Sequence, residues 1–192
     1  MTEENKPKPY VTIRTMLWRS RELKPFFAES IDTIEEYGCR IIYVATEDPN
    51  DSWSYTTGVY ETCGKPEIIT VGLRMETAKA ALNEAVRRLR QGVDLTQGLQ
   101  TEVIGNVDVE FRAVDPRWRE HLMLHTEWFY EGRDVPVLQL IFPDLQNRFP
   151  GEPDFDERFT QPILSGGIKH GSMEYEFWKA QGAPDSPPPL LN

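Results

Sequence analysis

The chain has 192 residues, 27% charged and 39% hydrophobic, a composition that suits one soluble globular domain with a real core. Asp plus Glu outnumber Lys plus Arg by 31 to 21, and the net charge of -10 disfavours nucleic acid and anionic membrane surfaces while suiting a basic protein partner. No run reaches the ~18 apolar residues of a membrane helix, "MTEENKPKPY" lacks the apolar stretch of a secretion signal, and the two cysteines fit a reducing cytoplasm.

In chain order, residues 1–9 read as a loose, disordered tail, and Tyr10 to Trp18 alternate well enough for a strand. A helix follows over residues 20–38, with Pro25 in its first turn, Phe26, Phe27, Ile31 and Ile34 at helical spacing and Gly38 as its stop. "CRIIYVATE" is a strand, "DPNDS" breaks it, and "WSYTTGVYE" is a second strand whose interior Gly58 marks a bulge or a close backbone approach. Cys39 packs as a small hydrophobe, and Cys63 lies in the Gly/Pro turn "TCGKP" that leads to the apolar strand "EIITVGL". The clearest helix spans residues 75–92, where Ala78, Ala81, Leu82, Ala85, Val86 and Leu89 make one apolar stripe that Gly92 ends. After a polar loop, Val107, Val109, Phe111 and Ala113 alternate with charged residues in a half-wet strand. A shorter helix covers residues 116–132, and "VPVLQLIF" is the last strand. The sum is an α+β fold: about six strands in a mixed or mainly antiparallel sheet, with three helices packed on it. Residues 10–166 form one domain, and residues 167–192 are an appendage, ordered first by Tyr175, Phe177 and Trp178 and Pro-rich at its end.

Three groups of residues carry candidate chemistry. His121 and His125 stand four apart, so one helix would present both imidazoles on a single face, either as a metal pair or as core-rim histidines bonded to backbone. The other histidine, His170, lies in the appendage, and no metal site is expected. Gln139 sits inside the apolar final strand and must find partners for its amide, either neighbouring main chain, with the Gly58 region a candidate, or a ligand. Asp144 follows Pro143 and is placed to cap a turn, with Arg148 four residues on to pair with it. Tyr55, Thr57, Gly58 and Glu67 surround a strand-turn-strand whose hydroxyls suit a phosphate or flavin edge as readily as plain strand structure. Phosphate-binding loop, dinucleotide fingerprint and nucleophile elbow are all missing, so no cofactor is expected.

"YTTGVYETCGKPEIITVGL", "METAKAALNEAVRRLRQG" and "VLQLIFPDLQNRFP" resemble, in the same order, the bacterial family called domain of unknown function 4262. "QPILSG", from Gln161 to Gly166, is similar to that family's C-terminal segment, so the resemblance spans roughly residues 38–166. It implies a compact bacterial α+β domain and little about activity. Members often carry His-Pro-Glu where this chain has Lys65, Pro66 and Glu67, and a tryptophan where it has Gly151. The expected function is protein binding without catalysis, for example neutralising a basic partner such as a toxin. The alternative is a small-molecule site or enzyme near Gln139, Asp144 and the His121/His125 helix.

Overall fold

The computed structural model describes residues 8–166, 168 and 172–182. Its strands are β1 (Arg40–Val44), β2 (Trp53–Thr57), β3 (Glu67–Val71), β4 (Gln100–Ile104), β5 (Val107–Ala113) and β6 (Val137–Ile141). They form one six-stranded mixed sheet in the order β1-β2-β3-β6-β5-β4. Only β3 and β6 run parallel, with Ile69 opposite Gln139, and every other pair is antiparallel.

The described residues hold seven α-helices, so the expected three are an undercount: α1 (Ile13–Arg19), α2 (Pro25–Tyr37), α3 (Val59–Cys63), α4 (Met75–Arg90), α5 (Pro116–Leu122), α6 (Leu124–Tyr130) and α7 (Met173–Ala180). The first correction falls at residues 10–18, where α1 replaces the expected strand. The alternating residues Val11, Ile13 and Leu17 face solvent, whereas Thr15 and Trp18, three apart, are buried. Thr12 and Thr15 exchange side-chain to backbone bonds in a reciprocal cap that starts the helix. A second correction concerns "WSYTTGVYE": β2 ends at Thr57, and Gly58, at φ 106, turns the chain into α3. A Cβ at Gly58 would come within 3.0 Å of Ile34, so α2 approaches here as closely as glycine allows. The expected polar loop contains β4, with Glu102 in the left-handed region at φ 58. The appendage carries α7, in which Tyr175, Phe177 and Trp178 are buried. The expected tail falls largely outside the described residues, as do His170 and the Pro-rich end.

Two layers of side chains sandwich the sheet. On one face Leu82, Ala85 and Leu89 of α4 pack on Ile68, Phe111, Leu138 and Leu140. On the other, Trp53, Tyr55, Ile69 and Val137 meet Trp118, Leu122, Phe177 and Trp178 from α5 and α7. Trp18, Ile31, Ile34, Phe129 and Tyr130 join α1, α2 and α6 in a third cluster. No helix among the described residues is long and apolar enough to cross a membrane.

Candidate functional site

The amide of Gln139 is fully buried and bonded to main chain at both its polar atoms. Its Nε2 donates to the Pro162 carbonyl at 2.7 Å, and its Oε1 accepts the Leu164 N–H at 2.7 Å. The partner segment is therefore residues 162–164 and not the Gly58 turn. Asp144, also fully buried, caps the turn that follows β6. One carboxylate oxygen accepts the N–H groups of Gln146 (2.8 Å) and Arg148 (3.0 Å). The other accepts the Asp156 N–H (3.0 Å) and the Arg148 guanidinium (2.8 Å). Burial acts to raise this carboxyl, but the backbone donors and Arg148 outweigh it and hold the pKa at about 2.

Glu67 is the hub of a second buried network. Its Oε1 accepts from Gly58 N (2.9 Å), Tyr60 N (3.1 Å) and the Tyr130 hydroxyl (2.5 Å), and its Oε2 from the Thr56 hydroxyl (2.6 Å). Desolvation raises its pKa in spite of these four donors. Thr57 bonds Thr126, whose hydroxyl donates to the Thr56 carbonyl, so β2 is riveted to α6. Thus Thr57, Gly58 and Glu67 are brought together, with their polar atoms turned to neighbouring chain.

His121 and His125 do not share a helix face. The expected single helix breaks at Met123 (φ -109, ψ 50), leaving His121 at the end of α5 and His125 near the start of α6. Side chains of β2 hold the break open. The Trp53 indole donates to the Leu122 carbonyl at 2.9 Å, and the Tyr55 hydroxyl accepts the His125 N–H at 3.2 Å. Both main-chain groups flank the break and find partners in β2. The His121 ring lies 4.5 Å from that of Trp178, while His125 stacks on Trp128 at 4.9 Å beside Phe26 and Phe27. Neither nitrogen of the buried His125 ring has a hydrogen-bond partner, and desolvation, then Arg40, push its pKa down to about 4. Among the described residues no three His, Cys, Asp or Glu side chains group as a metal site.

An open groove of about 810 Å³ lies elsewhere, along the edge of the sheet. One wall is the row Glu29, Thr33 and Tyr37 on α2, and the other is the row Met75, Lys79, Asn83 and Arg87 on α4, continued by Gln91 at its C-terminal cap. Each row steps by four residues, which aligns its side chains along one helix face. Ile41 and Tyr43 of β1 and Ser54 of β2 make the floor. The sequence-predicted site residues all lie outside this lining. The signal that points to the groove is the pair of i, i+4 rows, with Tyr37 (59% exposed) and Met75 (50% exposed) as large solvent-facing side chains on opposite walls. Cys39 also borders it, but burial, and Glu67 after it, raise the thiol to about 12.

A model of the family described as Domain of unknown function (DUF4262) matches residues 33–156, well over half the chain. The chain belongs to the DUF4262 family. No curated protein and no solved structure matches it. The DUF4262 segment takes in all six strands and α3 to α6, and leaves α1, α7 and Gln161–Gly166 outside. The departure at Lys65 leaves the Glu67 hub intact next to it, and Gly151 sits at φ 94, where a tryptophan would be strained.

Proposed function

We propose that this DUF4262 protein is a binding module without catalysis, whose working surface is the groove between α2 and α4. The observation that carries the reading is a contrast of use. Gln139, Asp144 and Glu67, the polar residues best suited to chemistry, are held by backbone and side chains of the fold itself, while the groove rows present side chains to solvent. The overall charge of -10 would steer a basic protein, for example a toxin, toward the molecule. The two unpaired cysteines fit a bacterial cytoplasm as its setting. Affinity capture from the host followed by native mass spectrometry tests this: one stoichiometric protein partner is expected, and a chain recovered only with a small molecule and turning it over would refute it.

The second reading, a small-molecule site, is favoured by one observation. A cavity of about 340 Å³ opens where the parallel strands β3 and β6 end, lined by Gly72, Arg74, Phe142, Asp144 and Phe159. Crevices at the carboxyl ends of such strands commonly hold ligands. A bound metabolite seen by native mass spectrometry, displaced by Gly72→Trp, would favour it.

A further inference from the structure

We propose that the α2–α4 groove seats an amphipathic helix from a partner protein, with carboxylates along its flanks. The proposal rests on the binding reading above and names the chemistry of the occupant.

The first support is the layer that the groove interrupts. On the α4 side of the sheet the packed core runs from β4 to β3 and reaches β1 only through the half-buried Ile41. Strand β1 is half-buried along its whole length and stands at the edge of the sheet. The space above it is bounded by one helix on each side and a strand below, which is the position a further helix takes in a layer packed on a sheet. The row from Met75 to Gln91 covers sixteen residue-to-residue steps, about 24 Å at 1.5 Å per step, and sets an occupant of roughly four turns. Apolar positions at i, i+3, i+4 and i+7 of such a helix would cover Ile41, Tyr43 and Met75.

The second support is charge. The lining carries Arg40, Lys79, Arg87 and Arg90 against Glu29 alone, within a chain whose net charge is -10. Arg87 is already held by Glu84, and Arg40 stands 3.5 Å from Glu29. Lys79 has no ionic partner among the described residues, and Arg90 spends one nitrogen on the Tyr37 carbonyl at 2.7 Å. The local sign is thus opposite to the outer field. A basic protein drawn in at long range would make contact here through an acidic segment, since contact sign decides register and partner choice.

The test is selection of peptides from a displayed library of randomised 16-residue segments on the full chain, with subtraction on Lys79→Glu/Arg87→Glu. Circular dichroism and thermal melting confirm that the double variant is folded. The expected winners carry helix-spaced apolar residues and net negative charge, and as free fluorescein-labelled peptides bind wild type at least about tenfold tighter than the double variant. Their affinity should fall as salt rises. Failure to enrich any peptide over the variant, or enrichment of basic or non-helical sequences, overturns the proposal. So does a concentration-dependent dimer that the double variant abolishes, because a second copy would then fill the groove. A host partner that binds wild type and the double variant equally removes the groove assignment but leaves the binding reading standing. Recovery of no protein partner together with measured turnover removes both.

Discussion

The Gln139–Glu67 side of the molecule and the α2–α4 groove both carry polar groups beside apolar ones, yet they spend them in opposite ways. Around β3 and β6 each amide or carboxylate oxygen of Gln139 and Glu67 is bonded to another part of the fold. Along the groove Lys79 and Asn83 are exposed, and the apolar bodies of Tyr37 and Met75 stand open beside them. Polar residues deep in a core are costly unless satisfied, so they mark where the chain is fastened; unsatisfied polar residues at an open surface cost little and are free to recognise something.

Removing the fasteners should expose the first half of that contrast most sharply. Glu67→Ala strands two backbone N–H groups and two hydroxyls in the interior. The expected loss is about 4 kcal/mol in urea unfolding, with Glu67→Gln retaining part of it. A loss below about 1 kcal/mol would show that the hub is not structural. Gln139→Leu is next, at about 2–3 kcal/mol, because the Pro162 carbonyl and Leu164 N–H lose their partners together. Hydrogen exchange should localise the effect: the Leu164 amide should lose protection before the amides of β6.

How far this was visible in the sequence depends on how local the deciding interaction is. The α4 stripe was legible because its apolar spacing and strong helix formers agree, and all six stripe residues are buried. That Gln139 must be satisfied was legible from a lone amide in an apolar strand, but its partners stand 23 and 25 residues away and nothing local names them. The α1 segment was misleading because Val11, Ile13 and Leu17 alternate by chance of a solvent-facing side, while the deciding signal is the cap at Thr12. The break at Met123 has neither Pro nor Gly to announce it, and is held by Trp53 and Tyr55 from a distant strand. The groove rows could be read as i, i+4 steps, but their openness depends on which strip of the sheet lacks a covering helix, a tertiary fact.

Between the two regions lies His125, buried like the fasteners but unbonded at both ring nitrogens. Its folded pKa, about 4, is below the ordinary imidazole value, so the unfolded chain takes up the proton first as pH falls. Its contribution is constant above pH ~6.5 and is lost as pH drops from ~6.5 toward ~4, by about 3 kcal/mol in all. His125→Phe should flatten that part of the stability–pH curve while keeping the stack on Trp128. The difference between variant and wild type isolates this effect from Asp144, whose carboxyl at about 2 acts only at still lower pH, and from Glu67, whose raised pKa works with the opposite sign. An unchanged slope between pH 6.5 and 4 would mean that the ring reaches solvent.

The smallest stability effect is expected in the groove, and its smallness is what separates recognition from fastening. Lys79→Glu reverses an exposed charge with no ionic partner among the described residues, so unfolding free energy should move by no more than about 0.5 kcal/mol. If Lys79 belongs to a docking surface, the same substitution should weaken an acidic partner helix several-fold, chiefly through slower association and a shallower salt dependence. A stability loss comparable to that of Gln139→Leu would place Lys79 among the fasteners, and the contrast between the two regions would fail at the residue where it is easiest to measure.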